Sequence, residues 1–431
     1  MCMTTQPIRF TQGEQKQSQQ RYTSLMGMLF NEAGLMESFK RQPRRKAVGV
    51  DGVSKADYEI NLVANLADLS QRVRRLGYRP KPARRTYIPK ANGRKRPLGI
   101  PSFEDRIVQD RLSRILQMIW EPQFCECSYG FRPERSAHQA LGRLSHIITV
   151  EHTQWLVEAD IKAFFDRIHQ QHLMRFIEHR IEDPNLLRVI QRFLKAGILE
   201  DGTFYATDEG TPQGGLVSPV LANIYLHYVL DLWFERRFAQ GCQGKAYLVR
   251  YADDFVGCFE FETDAYRFEQ ALKARLAEFA LEVEPTKTAL IRFGDQALTR
   301  CERDGDRRPR TFNFLGFTHY IALWRGRVRL GRKTQRERMR KSLKAVGARL
   351  KALRVQGTRA MQQYVRLHLQ GHLQYFGVTH NSRAVHGYVW HVVRLLYKWL
   401  NRRGQRRSFT WPRYFAWLRS WLPRPHIVHA I

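Results

Sequence analysis

Apolar residues at three- and four-residue spacing over 103–120 place Ile107, Leu112, Ile115, Leu116 and Ile119 on one face, which predicts a helix. A second amphipathic helix is predicted over 262–281. Three short apolar runs have strand length: Trp155 to Ile161, Tyr247 to Tyr251 and Phe255 to Phe259. Tyr87 to Pro101 reads as a hairpin turning at Ala91-Asn92-Gly93. Upstream, a polar leader runs into a short basic helix ending in the cluster Lys40 to Lys46. Val48 to Ser54 is then turn chemistry, followed by a helical stretch to Gly77. The most membrane-like stretch, Leu216 to Phe234, is interrupted by Ser218, Pro219, Asn223, His227 and Asp231. It reads as a core helix capped by Ser218, with Pro219 in its first turn and Leu221, Tyr225 and Val229 buried. Gly294 to Arg310 reads as a charged loop at a domain junction, and beyond Arg332 the pattern is basic helices broken by Gly357 and Gly377. Strands and helices mix without regular alternation, so the fold class is α+β.

Length and composition add a partner to this picture. The 431 residues suggest two or three domains, and 43% apolar content excludes wholesale disorder. The net charge of +32 points to a polyanion, nucleic acid first and an anionic membrane surface second. The charge is uneven. Thr311 to Ile431 holds 25 Lys or Arg and one acid, Glu337, a net of +24. Counter-charges are missing there and aromatics are interleaved. Trp399, Phe409, Trp411, Tyr414, Phe415, Trp417 and Trp421 alternate with Arg402, Arg403, Arg406, Arg407, Arg413 and Arg419. Cations for phosphates beside flat rings suit an RNA-binding surface, although several of these rings are expected in the core. The six cysteines are scattered and form no Cys-x-x-Cys pair, which disfavours disulfide frameworks and zinc ribbons. The polar N-terminus lacks the apolar core of a signal peptide, so the expectation is a cytoplasmic protein with no membrane association.

The candidate chemistry is carboxylate chemistry. Tyr251-Ala-Asp253-Asp254 stands between two strand-like runs, and Asp160 ends another. Like charges side by side cost free energy unless a cation neutralises them. If the strands are sheet neighbours, Asp160 and Asp253 converge on a site for a pair of magnesium ions, with manganese as a substitute. The plainer alternative is that each acid caps a strand or turn.

The neighbouring motifs narrow the choice. Arg96-Pro-Leu-Gly-Ile-Pro101, Ser128-Tyr-Gly-Phe-Arg-Pro133, Asp160-Ile-Lys-Ala-Phe-Phe-Asp166, Thr211-Pro-Gln-Gly-Gly215, Tyr251-Ala-Asp-Asp254 and Phe314-Leu-Gly-Phe317 occur in this order. Together they resemble the successive motif blocks of group II intron-encoded reverse transcriptases and maturases. The resemblance starts near Val48 and includes Gly371 to Gly377 and the run Trp399 to Arg407.

That resemblance implies a right-hand polymerase of fingers, palm and thumb. The divisions expected are 1–80 for the N-terminal extension and start of the fingers, 81–330 for fingers and palm, and 331–431 for a basic helical thumb or maturase domain. It implies Asp160, Asp253 and Asp254 as catalytic and metal-holding acids. Arg84, Lys90, Gln213 and Gly214 would meet the incoming dNTP, with Phe165 packing under its sugar and rejecting a 2′-hydroxyl. Lys287 would stand near the departing pyrophosphate, and Phe314 to Phe317 would be a strand holding the primer end. His138, Cys125 and Cys127 are read as structural. The implied function is an RNA-directed DNA polymerase that also assists splicing and mobility of its own intron. Its partners would be intron RNA, an RNA template, a DNA primer and a DNA target, with Arg402, Arg403, Arg406 and Arg407 among its RNA contacts. The alternatives are a free-standing relative serving repair or phage defence, and an RNA-binding splicing factor with an inactive polymerase. Neither an RNase H signature nor the cysteine pairs of the family's His-Asn-His endonuclease occur. The expectation is therefore a polymerase that does not nick its own target and starts from an existing 3′ end.

Overall fold

The computed structural model describes residues 20–89, 95–211, 214–403 and 408–431. They form two compact units, each assembled from two separate stretches of chain. One combines the residues up to Phe124 with Ala163–Val229; the other combines Cys125–Lys162 with Leu230–Ile431.

In the first unit, the strands Ala83–Pro89 and Lys95–Ile100 pair antiparallel, as the hairpin pattern predicts. Ile198–Glu200 adds to this pair in parallel and Thr203–Tyr205 closes the sheet. Beside it lies Phe103–Trp120, whose predicted apolar face is fully buried apart from a trace of Ile119. Ser102 caps this helix by accepting from the Asp105 amide. Asp183 serves two helices. One of its oxygens accepts from Asn185 and Leu186 at the start of Pro184–Leu194. The other accepts from Leu25 and Met26, at 2.7 and 2.8 Å, where Met26–Phe30 begins. Each such cap contributes about 1 kcal/mol, so one buried carboxylate joins two distant segments. Ser218 differs from its expected place: Val217 is the cap residue, and Ser218 is already the first residue of the helix Ser218–Leu226. The expected apolar residues Leu221, Tyr225 and Val229 are buried.

The second unit centres on a four-stranded antiparallel sheet. Its order is Ala246–Tyr251, Asp254–Phe259, Trp155–Asp160, Ala289–Arg292. Alternation along the strands gives each face its own packing. Leu156, Val256 and Cys258 meet the helix Ala137–Thr149 in one apolar cluster. Phe234 and Phe238 meet Phe259 edge-on, and Phe268, from the helix Glu262–Ala277, packs tilted against it. That helix ends four residues before the predicted Leu281.

Two other expectations change. Gly294–Arg310 contains the helix Ala297–Arg303, which buries Ala297 and Cys301, and it lies inside the second unit rather than at a junction. Phe314–Phe317 is a turn, not a strand. It joins Phe312–Phe314 to Phe317–Trp324, with Leu315 at φ 49° and Gly316 at φ 83°. A hairpin partner, Arg327–Thr334, completes this second sheet. The basic helices follow as Arg336–Leu353, Thr358–Phe376, Ser382–Leu400 and Trp411–Arg419, around their own apolar core. Among the described residues no helix is long and apolar enough to cross a membrane.

Two buried histidines make this unit acid-sensitive. His319 stacks on Phe312 with centroids 4.7 Å apart, and burial depresses its pKa to about 3. His372 stacks on Tyr388 at 3.7 Å and is depressed to about 4, by burial and then by His368. Both are neutral when folded, and both take up protons near pH 6.5 once unfolded. Their contribution to stability is therefore complete above pH 6.5 and lost progressively as pH falls towards 3–4. By pH 5 the loss is about 2 kcal/mol for each histidine. Urea denaturation at pH 7.5 and pH 5 is expected to show this drop in the wild type and a smaller one in His319→Phe and His372→Phe. Identical pH dependence in all three proteins would contradict the assignment.

Candidate active site

The strand register brings the acids together. Asp160, at the end of Trp155–Asp160, lies directly opposite Asp254, the first residue of Asp254–Phe259. Asp253 sits beside it in the two-residue turn Ala252-Asp253 that joins this strand to Ala246–Tyr251. Because side chains alternate, Asp160 and Glu158 share a face with Leu156, and Asp254 shares it with Val256 and Cys258. Three carboxylates thus occupy one end of a face whose remainder is apolar core. Burial raises the Asp254 pKa to about 7, helped by the charges of Asp160, Asp253 and Glu158. Glu158 is also pushed up to about 7, by burial first and by Asp160 second. The strand Phe312–Phe314 and the turn after it meet these acids, with the Leu315 amide donating to Asp254 and the Asn313 amide to Glu158.

Lys287 brings a cation to these acids. The Lys287 ammonium bonds the Asp160 carboxylate; burial works against its charge, but that bond together with the charges of Asp160, Glu284 and Asp254 raises its pKa. The Glu284 amide donates to the Asp160 carbonyl at 2.8 Å, which fixes this lysine's turn, Pro285–Lys287, against the strand. Among the described residues no three acids, histidines or cysteines enclose an ion-sized site as they stand. The donor set nevertheless fits a hard divalent cation: oxygen ligands only, with Asp160 and Asp253 close enough to raise the Asp254 pKa. Asp160 has to exchange Lys287 for such an ion.

Behind the turn lies a network that the sequence reading did not identify. Arg250 is completely buried, and its guanidinium grips Asp231 with both arms at 2.7 and 2.5 Å. The same guanidinium donates to the Ser128 hydroxyl at 2.7 Å and to the Ala252 carbonyl at 3.0 Å. Burial works against its charge, but Asp231 prevails and raises its pKa. Ala252 holds φ at 60°, a conformation that costs a residue with a Cβ about 1 kcal/mol. The Arg250 bond holds the carbonyl of that strained residue. Residues 127–129 run alongside: the Arg250 amide donates to Cys127 at 2.7 Å, and the Tyr129 amide to Arg250 at 2.8 Å. A Cβ on Gly130 would strike the Ala252 nitrogen, so the Ser128–Pro133 motif is the backbone cradle of the acidic turn. Two signals were available in the sequence. One is a charged residue inside an apolar strand; the other is an acid at Asp231 inside an apolar helix.

Of the other predicted residues, the first unit carries Phe165, Gly214 and Arg84. Phe164 is the buried core ring, whereas Phe165 is half-buried. The Phe165 carbonyl accepts from the Thr211 amide at 2.8 Å, tying two motifs together. Gly214 has φ 110°, and a Cβ there would meet the Gly99 carbonyl, so its close approach is to the strand Lys95–Ile100. Arg84 donates to the Val48 carbonyl at 3.1 and 2.7 Å. Lys90, Gln213, Arg406 and Arg407 lie outside the described residues. Arg402 sits over Trp399 at 5.9 Å, and Arg403 donates to the Thr358 hydroxyl. Of the interleaved aromatics, Tyr414 is fully buried, and Trp399, Phe409, Trp411, Trp417 and Trp421 pack against the same core. His138 and the two cysteines are structural as expected. His138 bonds the Tyr375 carbonyl and stacks on His429, and Cys125 and Cys127 are buried.

Residues 88–319 match the family model described as "Reverse transcriptase (RNA-dependent DNA polymerase)". The chain belongs to the reverse transcriptase family. This enzyme is 35% identical over 299 residues to Protein YkfC of Escherichia coli, a match covering 60% of its own chain and 78% of that protein. It is 47% identical over 160 residues to the group II intron-encoded protein LtrA of Lactococcus lactis. That match covers 36% of this reverse transcriptase and 26% of LtrA. A weaker match, 28% over 134 residues, joins it to the mitochondrial nuclear intron maturase 4 of Arabidopsis thaliana, covering 31% of this chain and 16% of that protein. The reverse transcriptase thus has the mixed helix-and-sheet right-hand fold of its family, which uses divalent metal ions.

Proposed function

We propose that this reverse transcriptase copies RNA into cDNA by two-metal nucleotidyl transfer and serves as maturase and mobility enzyme for its own group II intron. The observation that carries the reading is the register pair Asp160–Asp254 with Asp253 in the adjoining turn. Residues 1–80 are assigned to the N-terminal extension and start of the fingers, 81–330 to fingers and palm, and 331–431 to the thumb or maturase domain.

Asp160, Asp253 and Asp254 would hold two magnesium ions, or manganese in their place. Bound ions of this kind neutralise phosphoryl oxygens and make the primer hydroxyl a better nucleophile. In the transfer, the bond from the primer 3′-oxygen to the α-phosphorus forms and the α–β bridging bond breaks, releasing pyrophosphate. Lys287 bonds Asp160 at rest; with that carboxylate engaged elsewhere, its ammonium would be free to meet the charge on the leaving group. Arg84, Lys90, Gln213 and Gly214 would position the nucleotide, since phosphoryl transfer depends mainly on positioning and electrostatics. Arg402, Arg403, Arg406 and Arg407 would contact RNA phosphates. The similarity to LtrA supports the intron association, whose partners would be intron RNA, a DNA primer and a DNA target.

The test is primer extension on an RNA template with magnesium and dNTPs, beside Asp253→Asn. Synthesis by the wild type alone supports the reading. Absence of synthesis with tight binding to structured RNA would favour a splicing cofactor instead. The sugar-gate role of Phe165 has its own test. Phe165→Val opens space beside the 2′ position and is expected to raise ribonucleotide incorporation by roughly 10–100-fold, the range of a modest change in pocket shape. Unchanged discrimination would remove Phe165 from that role.

A further inference from the structure

The C-terminal helices present an aromatic column that ends at the surface. Tyr397 and Trp411 stack at 3.8 Å with planes 12° apart, and Trp411 continues to Phe415 at 5.4 Å and 26°. Trp390 lies parallel to Phe415, 6.3 Å away with planes 6° apart. The inner end is anchored: Tyr397 donates to the Phe409 carbonyl, and Tyr414 beneath it is fully buried. The outer end is open. Trp390 is 48% exposed and Phe415 37% exposed. Large rings left half in water on a rigid pair of helices are costly to the fold alone, which would gain by covering them.

The surroundings state the charge of whatever covers them. Trp390 and Phe415 border a cleft of about 350 Å³ whose polar lining is His386, Arg419 and Arg424. At the Tyr397–Trp411 end of the column, a cleft of about 590 Å³ is lined by Lys344, His391, Arg394 and Lys398. From Arg338 to Ile431 the sequence contains no acid at all. A second copy of this surface would be repelled by its own charge. A ligand that offers a flat ring and an adjacent anion is complementary to both features.

We propose that Trp390 and Phe415 form a stacking platform for an unpaired RNA base, with the neighbouring phosphates held by Arg419 and Arg424. This rests on the reading of the C-terminal helices as RNA-binding and names the kind of RNA they take. A paired base has both faces covered by its neighbours, whereas an unpaired one gains a ring face on the protein.

The experiment measures binding of the full chain to two RNAs of equal length, one a hairpin with an unpaired loop and one fully duplexed. The loop RNA carries 2-aminopurine, whose fluorescence falls on stacking. Trp390→Ala is expected to weaken loop binding about tenfold, abolish the fluorescence change and leave duplex binding within about twofold. Trp390→Tyr should restore most of the loss. The salt dependence should be unaltered by Trp390→Ala but shallower by about two phosphates in Arg419→Gln/Arg424→Gln. Four results would overturn the proposal. Equal weakening on both RNAs, with a lowered melting temperature, would make Trp390 a packing residue. Wild-type affinity in Trp390→Ala for both RNAs would place RNA elsewhere and leave the wider reading standing. Failure of the wild type to bind either RNA would remove the wider reading as well. Preference for an acidic peptide over loop RNA would make this a protein-docking surface.

Discussion

Asp253→Ala and Asp253→Asn are expected to lower RNA-templated DNA synthesis by on the order of 10³-fold, while RNA affinity stays within about threefold of wild type. The size follows from what the residue would neutralise. Several kcal/mol of charge stabilisation in the transition state correspond to about one decade of rate per 1.36 kcal/mol. The selectivity follows from position. Asp253 lies in the turn and outside the ladder of backbone bonds, so its replacement leaves the register of Asp160 and Asp254 intact. It also lies outside the basic C-terminal helices. Primer extension and filter binding on the same preparations separate the two effects. Loss of both activities together would make the acid structural and refute the assignment.

Breaking the buried ion pair behind the turn is expected to have the second-largest effect, in two separable parts. Asp231→Leu alone leaves the Arg250 guanidinium buried without its anion, which costs about 3–5 kcal/mol of stability. Replacing both partners, as Arg250→Met/Asp231→Leu, removes the stranded charge and is expected to recover most of that stability. Activity should not recover with it, because the Ala252 carbonyl and the Ser128 hydroxyl still lack their donor. The expected signature is a near-wild-type melting temperature, an unchanged KM for dNTP and a kcat reduced by about 10-fold or more, as for a small misplacement of catalytic groups. Arg250→Lys should resemble the double variant in rate, since a lysine cannot make the two-armed contact. Recovery of kcat along with stability would show that the pair serves the fold and not the position of the acids.

The sequence made the local features legible. Apolar runs of strand length located three strands of the acid site. With Asp160 ending one and Asp253 standing between the other two, their convergence was legible; the register then sets Asp254, not Asp253, opposite Asp160. The antiparallel pairing within Tyr87–Pro101 and the helix 103–120 were likewise legible, although the predicted turn Ala91-Asn92-Gly93 lies outside the described residues. What escaped was decided by distant contacts. Arg250 and Asp231 each looked like a blemish in an apolar segment, and only their meeting explains either. Phe314–Phe317 has the apolar content of a strand, yet it turns at Leu315 and Gly316, where the glycine tolerates positive φ, and the turn brings the Leu315 amide to Asp254. Gly294–Arg310 is charged enough to read as loop, but Ala297 and Cys301, four apart, bury one helical stripe. The aromatics of the C-terminal run showed the opposite problem. Their interleaving with arginine suggested a surface, whereas most of them pack inward; Phe415 is exposed, and the more exposed ring beside it, Trp390, belongs to the preceding helix.

The double duty of Asp183 has a consequence for synthesis of the chain. The amides of Leu25 and Met26 find their acceptor 158 and 157 residues later. At about 5–20 residues per second, a ribosome needs on the order of 10–30 s to cover that interval. For that time the first helical segment is outside or leaving the exit tunnel with its leading amides unsatisfied and Leu29 and Leu35 without their core. The first unit is also closed only when residues up to Val229 have emerged, because the second unit's first stretch is spliced into its middle. The nascent enzyme therefore passes through a long incomplete stage in which holding chaperones have apolar surface to seize. Slowing translation before Asp183 should lower the yield of active protein more than slowing it after Val229.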